Sequence, residues 1–224
     1  MPSDFVPIEA RPGQEEYVKS IRENQITICE GICGTGKSIL ALNEGLKYLL
    51  QAPKKDKVRN IVIIRPYMMT QIGEKLGSLP GTLDEKVLPY VLSIKDNLRE
   101  LVHSDQEIDF LLRTKFEFTI LSMCRGRSFN NSFIIVDEAQ NIPKAGGALK
   151  MLLTRVGKGS KLIIQGDPSQ CDIRPEDSAL SEAAEILYSV PGIGIVEMNE
   201  IETIQRSRIV KDIMRAYESW EKGN

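Results

Sequence analysis

Gly31-Ile32-Cys33-Gly34-Thr35-Gly36-Lys37-Ser38 follows an apolar run at 26–29 and opens a stretch, 37–50, whose apolar residues recur at helical spacing. The segment fits G-x-x-x-x-G-K-[ST], and a strand before it with a helix after it is the context that pattern needs. Gly31, Gly34 and Gly36 are read as letting the backbone adopt conformations closed to other residues, so that successive N–H groups turn inward around phosphate oxygens. The helix that begins there, with Ile39 in its first turn, adds the positive end of its dipole. Lys37 reaches the β- and γ-phosphates, and the Ser38 hydroxyl is placed to ligate magnesium. A glycine turn that binds nothing would account for the glycines but not for Lys37. The expected cofactor-binding set is therefore Gly31, Ile32, Cys33, Gly34, Thr35, Gly36, Lys37, Ser38 and Ile39.

A second half of the site is expected at Phe133-Ile134-Ile135-Val136-Asp137-Glu138-Ala139-Gln140, an apolar strand ending in two acids. Ligand sites in parallel sheets lie at the carboxyl ends of the strands. Asp137 is expected to bind magnesium through water, and Glu138 to orient and deprotonate the attacking water. Gly166-Asp167-Pro168-Ser169-Gln170 follows the apolar run 162–164 and emerges at the same edge. Gln170 is expected to hydrogen-bond the γ-phosphate or the lytic water, although an Asp-Pro turn with no such role is locally the commoner use of this sequence.

Short runs rich in Ile, Val and Phe recur at 26–29, 61–64, 118–121, 133–136, 162–164 and 195–198, each reading as a buried strand. Helical periodicity separates them at 37–50, 87–101, 148–153 and 178–187. That alternation predicts an α/β fold, a mainly parallel sheet with helices on both faces. One domain over 1–224 is expected, with 66–115 as a helical insertion at the sheet edge. A last helix, 204–220, sets Ile209, Ile213, Tyr217 and Trp220 along one face, which is read as core packing.

Hydrophobic residues at 42% and charged residues at 27% exclude a disordered or fibrous chain. The early acids Asp4, Glu9, Glu15 and Glu16 interrupt any signal or transit segment, and no apolar run is long enough for a membrane span. Cys29, Cys33, Cys124 and Cys171 have neither zinc-site spacing nor the density of a disulfide scaffold, so a cytoplasmic setting is expected. A net charge of -2 gives no general attraction to a polyanion, and nucleic-acid contact must be local. The basic run Lys54, Lys55, Lys57, Arg59 reads as a solvated loop. His103, placed in a surface helix, is assigned no role.

The three elements and their flanks resemble the PhoH-like ATPases, relatives of one lobe of the superfamily 1 helicases, over nearly the whole chain. The resemblance is carried also by Arg65-Pro66 with Gly73-Glu74-Lys75-Leu76-Gly77-Ser78-Leu79-Pro80-Gly81, by Arg125-Gly126-Arg127, by Leu153-Thr154-Arg155, and by Arg206 with Ala216-Tyr217-Glu218. It implies that Gln14 recognises the adenine edge and that Arg206 contacts phosphate across a subunit boundary. It also implies a RecA-like P-loop NTPase fold and RNA-helicase-like work in ring-shaped oligomers, six-membered in the family's manner, with Arg125 and Arg127 as nucleic-acid contacts. Ser78 stands where the family usually has Phe, and Ser207 where it usually has His, which bears on partner contacts more than on ATP hydrolysis.

Two functions from different classes use the same pocket. One is an ATPase acting on RNA or single-stranded nucleic acid. The other is an interaction protein that assembles on ATP and binds a protein partner. A small-molecule kinase ranks below both, because Glu138 beside Asp137 favours water as acceptor.

Overall fold

A computed structural model gives the structure of the protein and describes residues 4–54, 57–66, 83–205 and 207–223. Six strands, β1 (Ile26–Gly31), β2 (Asn60–Arg65), β3 (Phe116–Ile120), β4 (Ser132–Val136), β5 (Lys161–Gly166) and β6 (Ile193–Met198), form one sheet in the order β3-β2-β4-β5-β1-β6. All the pairings are parallel. The strands are apolar on both faces because both faces are covered. Ile61, Ile63, Phe133 and Ile135 enter one core, while Val62, Ile64, Ile134 and Val136 enter the other.

The first core lies under α1 (Glu15–Glu23), α2 (Lys37–Leu46), α3 (Leu83–Arg99) and α4 (Asp105–Thr114). The second lies under α5 (Ala148–Leu153) and α6 (Ala179–Leu187). In the crossover from β2 to its parallel neighbour β3, α3, α4 and the turn between them contribute Ile94, Leu98, Leu101, Ile108 and Leu111 to the first core. Residues 67–82, which include the stretch 73–81 quoted above, lie outside the described residues.

The sequence reading differs from the structure in several places. β3 begins two residues earlier than the run 118–121, and Leu121 already belongs to a short turn of helix, Leu121–Cys124. α2 ends at Leu46 and continues as a wider π-helical turn, Lys47–Gln51. Two further helices, α1 and α4, are found beyond the expected ones, with apolar residues at helical spacing, Tyr17, Val18 and Ile21 in the first and Ile108, Leu111 and Leu112 in the second. α4 carries a legible signal, since Ser104 caps it by accepting from the Glu107 N–H at 3.3 Å, in the order Ser-x-x-Glu. His103 lies in the bend before α4, not in a helix.

The largest correction concerns α7 (Arg208–Gly223), the last helix. Ile209, Ile213, Tyr217 and Trp220 do share a face, but they are 63%, 47%, 64% and 69% exposed. Helical spacing identifies which side of a helix is apolar and carries no information about what that side packs against.

Candidate nucleotide site

The loop 31–38 joins the end of β1 to the first turn of α2. Gly34 and Gly36 have φ of 83° and 91°, the left-handed region in which a side chain is strained. Gly31 is glycine for another reason, which corrects the reading given above. Its φ is not positive, and a Cβ there would sit 2.8 Å from the Cβ and carbonyl oxygen of Met198, so it permits close passage against β6. Thr35 is fully buried, and its hydroxyl donates to the Ile32 carbonyl at 3.0 Å. The Lys37 ammonium folds back on its own loop, donating to the Gly31 carbonyl at 2.6 Å and the Ile32 carbonyl at 2.8 Å. Cys33 is exposed, whereas burial pushes the Cys29 thiol up to about 12, which keeps it a neutral core group.

Gln14, just before α1, is buried against this loop. Its amide nitrogen donates to the Thr35 carbonyl at 2.8 Å, and its oxygen accepts from the Arg11 N–H at 2.9 Å. The segment after β6 closes the same side, with the Gln205 N–H donating to the Gly34 carbonyl at 2.7 Å. Arg206 itself lies outside the described residues.

Asp137 and Glu138 leave the end of β4, which is separated from β1 by β5. The gap, about 10 Å for two strand spacings, is closed by a side chain of the strand between. Gln165 of β5 donates from one amide nitrogen to Ser38 Oγ at 2.8 Å and to Asp137 Oδ1 at 2.9 Å. Its own oxygen accepts from the buried Tyr17 hydroxyl of α1 at 2.8 Å. Burial, helped by the negative charge of Asp137, raises the Tyr17 phenol well above its ordinary value and keeps it a neutral donor. Ser38 Oγ and Asp137 Oδ1 stand 3.4 Å apart. They are a pair of oxygen donors of the kind a hard cation takes alongside water and phosphate.

Glu138 has a φ of 58°, one of only two non-glycine positive values among the described residues. Such strain persists where surrounding contacts enforce it. Here Gln140, 1% exposed, donates to Glu138 Oε2 at 2.7 Å and to the Gln170 carbonyl at 3.2 Å, and its oxygen accepts from the Asp167 N–H at 3.1 Å. One amide thus joins the acid pair to the turn after β5. The side chain of Gln170 is turned onto that turn, its amide 2.8 Å from Asp167 Oδ2.

Past β3, Arg125 is exposed, while Arg127 is engaged with Glu117, early in that strand, at 2.6 Å and lies over the Phe129 ring at 4.8 Å, away from the carboxyl end of the sheet. Arg65, Gln140, Gln165 and Tyr17 are site residues that motif reading passes over. Of these Gln165 and Arg65 have a local signal, each a polar residue that ends an apolar run inside a strand, after Leu162-Ile163-Ile164 and Ile61-Val62-Ile63-Ile64.

A family model described as PhoH-like protein matches residues 8–218. The chain belongs to the PhoH family. A PhoH-like protein of Synechocystis sp. is 38% identical over 93% of this chain, and one of Bacillus subtilis is 36% identical over 92%. Protein PhoH of Escherichia coli is 36% identical over 96%. The chain covers 61%, 62% and 59% of those three relatives, so it spans about three fifths of their length. PhoH-like chains are ATP-binding proteins of the P-loop NTPase type, which agrees with the loop, the acid strand and the parallel sheet found here. Among the described residues no helix is long and apolar enough to cross a membrane.

Proposed function

We propose that this PhoH-like chain binds and hydrolyses ATP with magnesium and uses turnover to remodel RNA or single-stranded nucleic acid, as a homo-oligomeric ring in the cytoplasm. The observation that carries the reading is the convergence of loop and acids, with Ser38 Oγ 3.4 Å from Asp137 Oδ1. Lys37 exchanges its two carbonyl partners for phosphate oxygens, and Gln14 uses its second amide hydrogen and lone pair on adenine. Ser38 and Asp137 hold magnesium, which supplies charge neutralisation for the β- and γ-phosphates. Glu138, held by Gln140, takes a proton from the attacking water, and Gln170 leaves its bond to Asp167 to report the loss of the γ-phosphate. Arg125 and Arg127 contact nucleic-acid phosphate.

The test is ATP turnover with and without single-stranded RNA or DNA. Stimulation that weakens steeply as salt rises is expected, because phosphate contacts release counterions. Absence of turnover in pure protein overturns the ATPase reading, and turnover indifferent to every strand tested overturns the nucleic-acid part. Glu138→Gln is expected to bind ATP without hydrolysing it.

Arg206 is proposed to act on the nucleotide of a neighbouring copy, with about a thousandfold or more in turnover at stake. Mixing Lys37→Ala subunits with Arg206→Ala subunits restores turnover if the site is shared. Gln205 is bonded to Gly34 of its own subunit, so failure to restore, despite subunit exchange, assigns Arg206 to its own loop. A second reading, an ATP-regulated interaction protein with a protein partner, is favoured by the exposed apolar face of α7.

A further inference from the structure

Arg65 ends β2 beside the acid pair, yet neither phosphate binding nor water activation employs it. Its Nη2 is 2.7 Å from Asp137 Oδ2 and its Nη1 is 3.9 Å from Glu138 Oε1. The guanidinium lies over the ring of Tyr90 on α3, 4.7 Å from the centroid. The side chain is 17% exposed, so solvent screens these contacts less than it screens a surface pair. Asp137 is thereby divided between two sets of partners. Oδ1 faces Ser38 and Gln165 on the loop side, and Oδ2 faces the arginine.

A divalent cation at Ser38 and Asp137 brings positive charge close to the guanidinium and draws on the same carboxylate. The phosphates bring compensating negative charge on the loop side. Arg65 therefore has one favoured partner before nucleotide arrives and another afterwards, and the attraction of its plane for an aromatic face ties Tyr90 to the exchange. We infer that Arg65 is a positioning residue that holds Asp137 and Glu138 in the nucleotide-free protein, gives up Asp137 when magnesium and nucleotide bind, and carries that change through Tyr90 to α3. The inference rests on the nucleotide reading given under Proposed function. It adds a route by which an occupied pocket is felt at the crossover helix next to the sheet edge.

The experiment has two parts. First, binding of a fluorescent ADP analogue is titrated against magnesium in the unmodified chain, Arg65→Gln and Arg65→Lys. Removing the competing charge in Arg65→Gln is expected to lower the magnesium concentration for half-saturation by about threefold or more, while Arg65→Lys stays within about twofold of the unmodified chain. Second, amide hydrogen exchange along α3 is compared with and without magnesium and ADP. The turn bearing Tyr90 is expected to change on binding in the unmodified chain and in Tyr90→Phe, which keeps the ring, but not in Tyr90→Leu. An unchanged or raised magnesium midpoint in folded Arg65→Gln overturns the inference. So does a Tyr90→Leu response equal to that of the unmodified chain, a comparison that stands even if Arg65→Gln does not fold. An unmodified chain that binds no nucleotide with magnesium fails at the earlier step and overturns the nucleotide reading itself.

Discussion

Around Asp137 the side chains of Ser38, Arg65 and Gln165 are all bonded to the acid, whereas along α7 Ile209, Ile213, Tyr217 and Trp220 are mostly in water. Both regions are strongly patterned in sequence. The difference is that the first pattern names a ligand chemistry, and the fold supplies the missing partners from strands that the motif does not mention. The second pattern specifies only a helix with an apolar side. A periodic stripe is thus a statement about one element, while a site is a statement about several elements meeting.

The comparison breaks most visibly at the loop. Lys37→Ala is expected to reduce ATP turnover by about two to three orders of magnitude, the usual cost of removing a preorganised donor from developing charge. Steady-state phosphate release checks this, and near-normal turnover would mean the bonded region is scaffold only. The next test sets a core leucine against the last helix. Leu98→Ala, on the buried side of α3, should cost about 2–5 kcal/mol in urea unfolding. Ile213→Ala should stay within about 0.5 kcal/mol. A core-sized loss at Ile213 would show that α7 is buried in solution and erase the contrast.

Gln165→Leu addresses the bonded side more gently. It leaves the buried Tyr17 hydroxyl without its acceptor and Asp137 without one donor, for about 1–3 kcal/mol of stability. Since the same change loosens the metal side of the acid, nucleotide affinity should fall with it, and calorimetry on the folded variant separates the two effects. An unaltered melting temperature would indicate that the network is not formed in solution.

The smallest effect lies outside the site, at Glu44 on α2. Its carboxylate is bonded by Arg22 at 2.8 and 2.9 Å and by Lys47 at 3.0 Å. Burial alone would raise its pKa, but the bonds to Arg22 and Lys47 outweigh burial and leave it below the ordinary carboxylate value. A lowered folded value means that the stabilisation is complete above the unfolded value, about 4.3, and is lost as pH falls through the folded one. Stability should therefore decline on acidification from about pH 5, and Glu44→Gln should flatten that limb of the curve. Urea titrations between pH 3 and pH 7, roughly the window in which the carboxylate changes charge, check the sign.

Much of the fold is legible because a parallel sheet covered on both faces writes each strand as an apolar run, such as Phe133-Ile134-Ile135-Val136. The loop and the acids are legible because backbone conformation and charge at fixed spacing are local properties. The partners of Gln140, Gln165 and Arg65 are not, since they depend on strand order, and nothing local announces that β5 runs between β1 and β4. α1 is obscured by its polar majority, with only Tyr17, Val18 and Ile21 apolar among its nine residues. The exposure of α7 could not be read at all, because the spacing of Ile209 and Ile213 is the same whether the face is covered or not.

The order of the strands also bears on when the site comes into being. Ser38 and Asp137 are 99 positions apart, and the Gln165 amide that joins them comes from 127 positions beyond Ser38. A chain emerging from synthesis amino end first has made both the phosphate loop and the acid pair by residue 138, but at that point lacks the strand that lies between them. Only when 161–166 inserts as β5, pairing with both neighbours, are the two halves locked in register. Long-range pairing of this kind is slow, because loop closure precedes its reward. A chain interrupted before β5 therefore carries both motifs without the strand, and the Gln165 amide, that joins them.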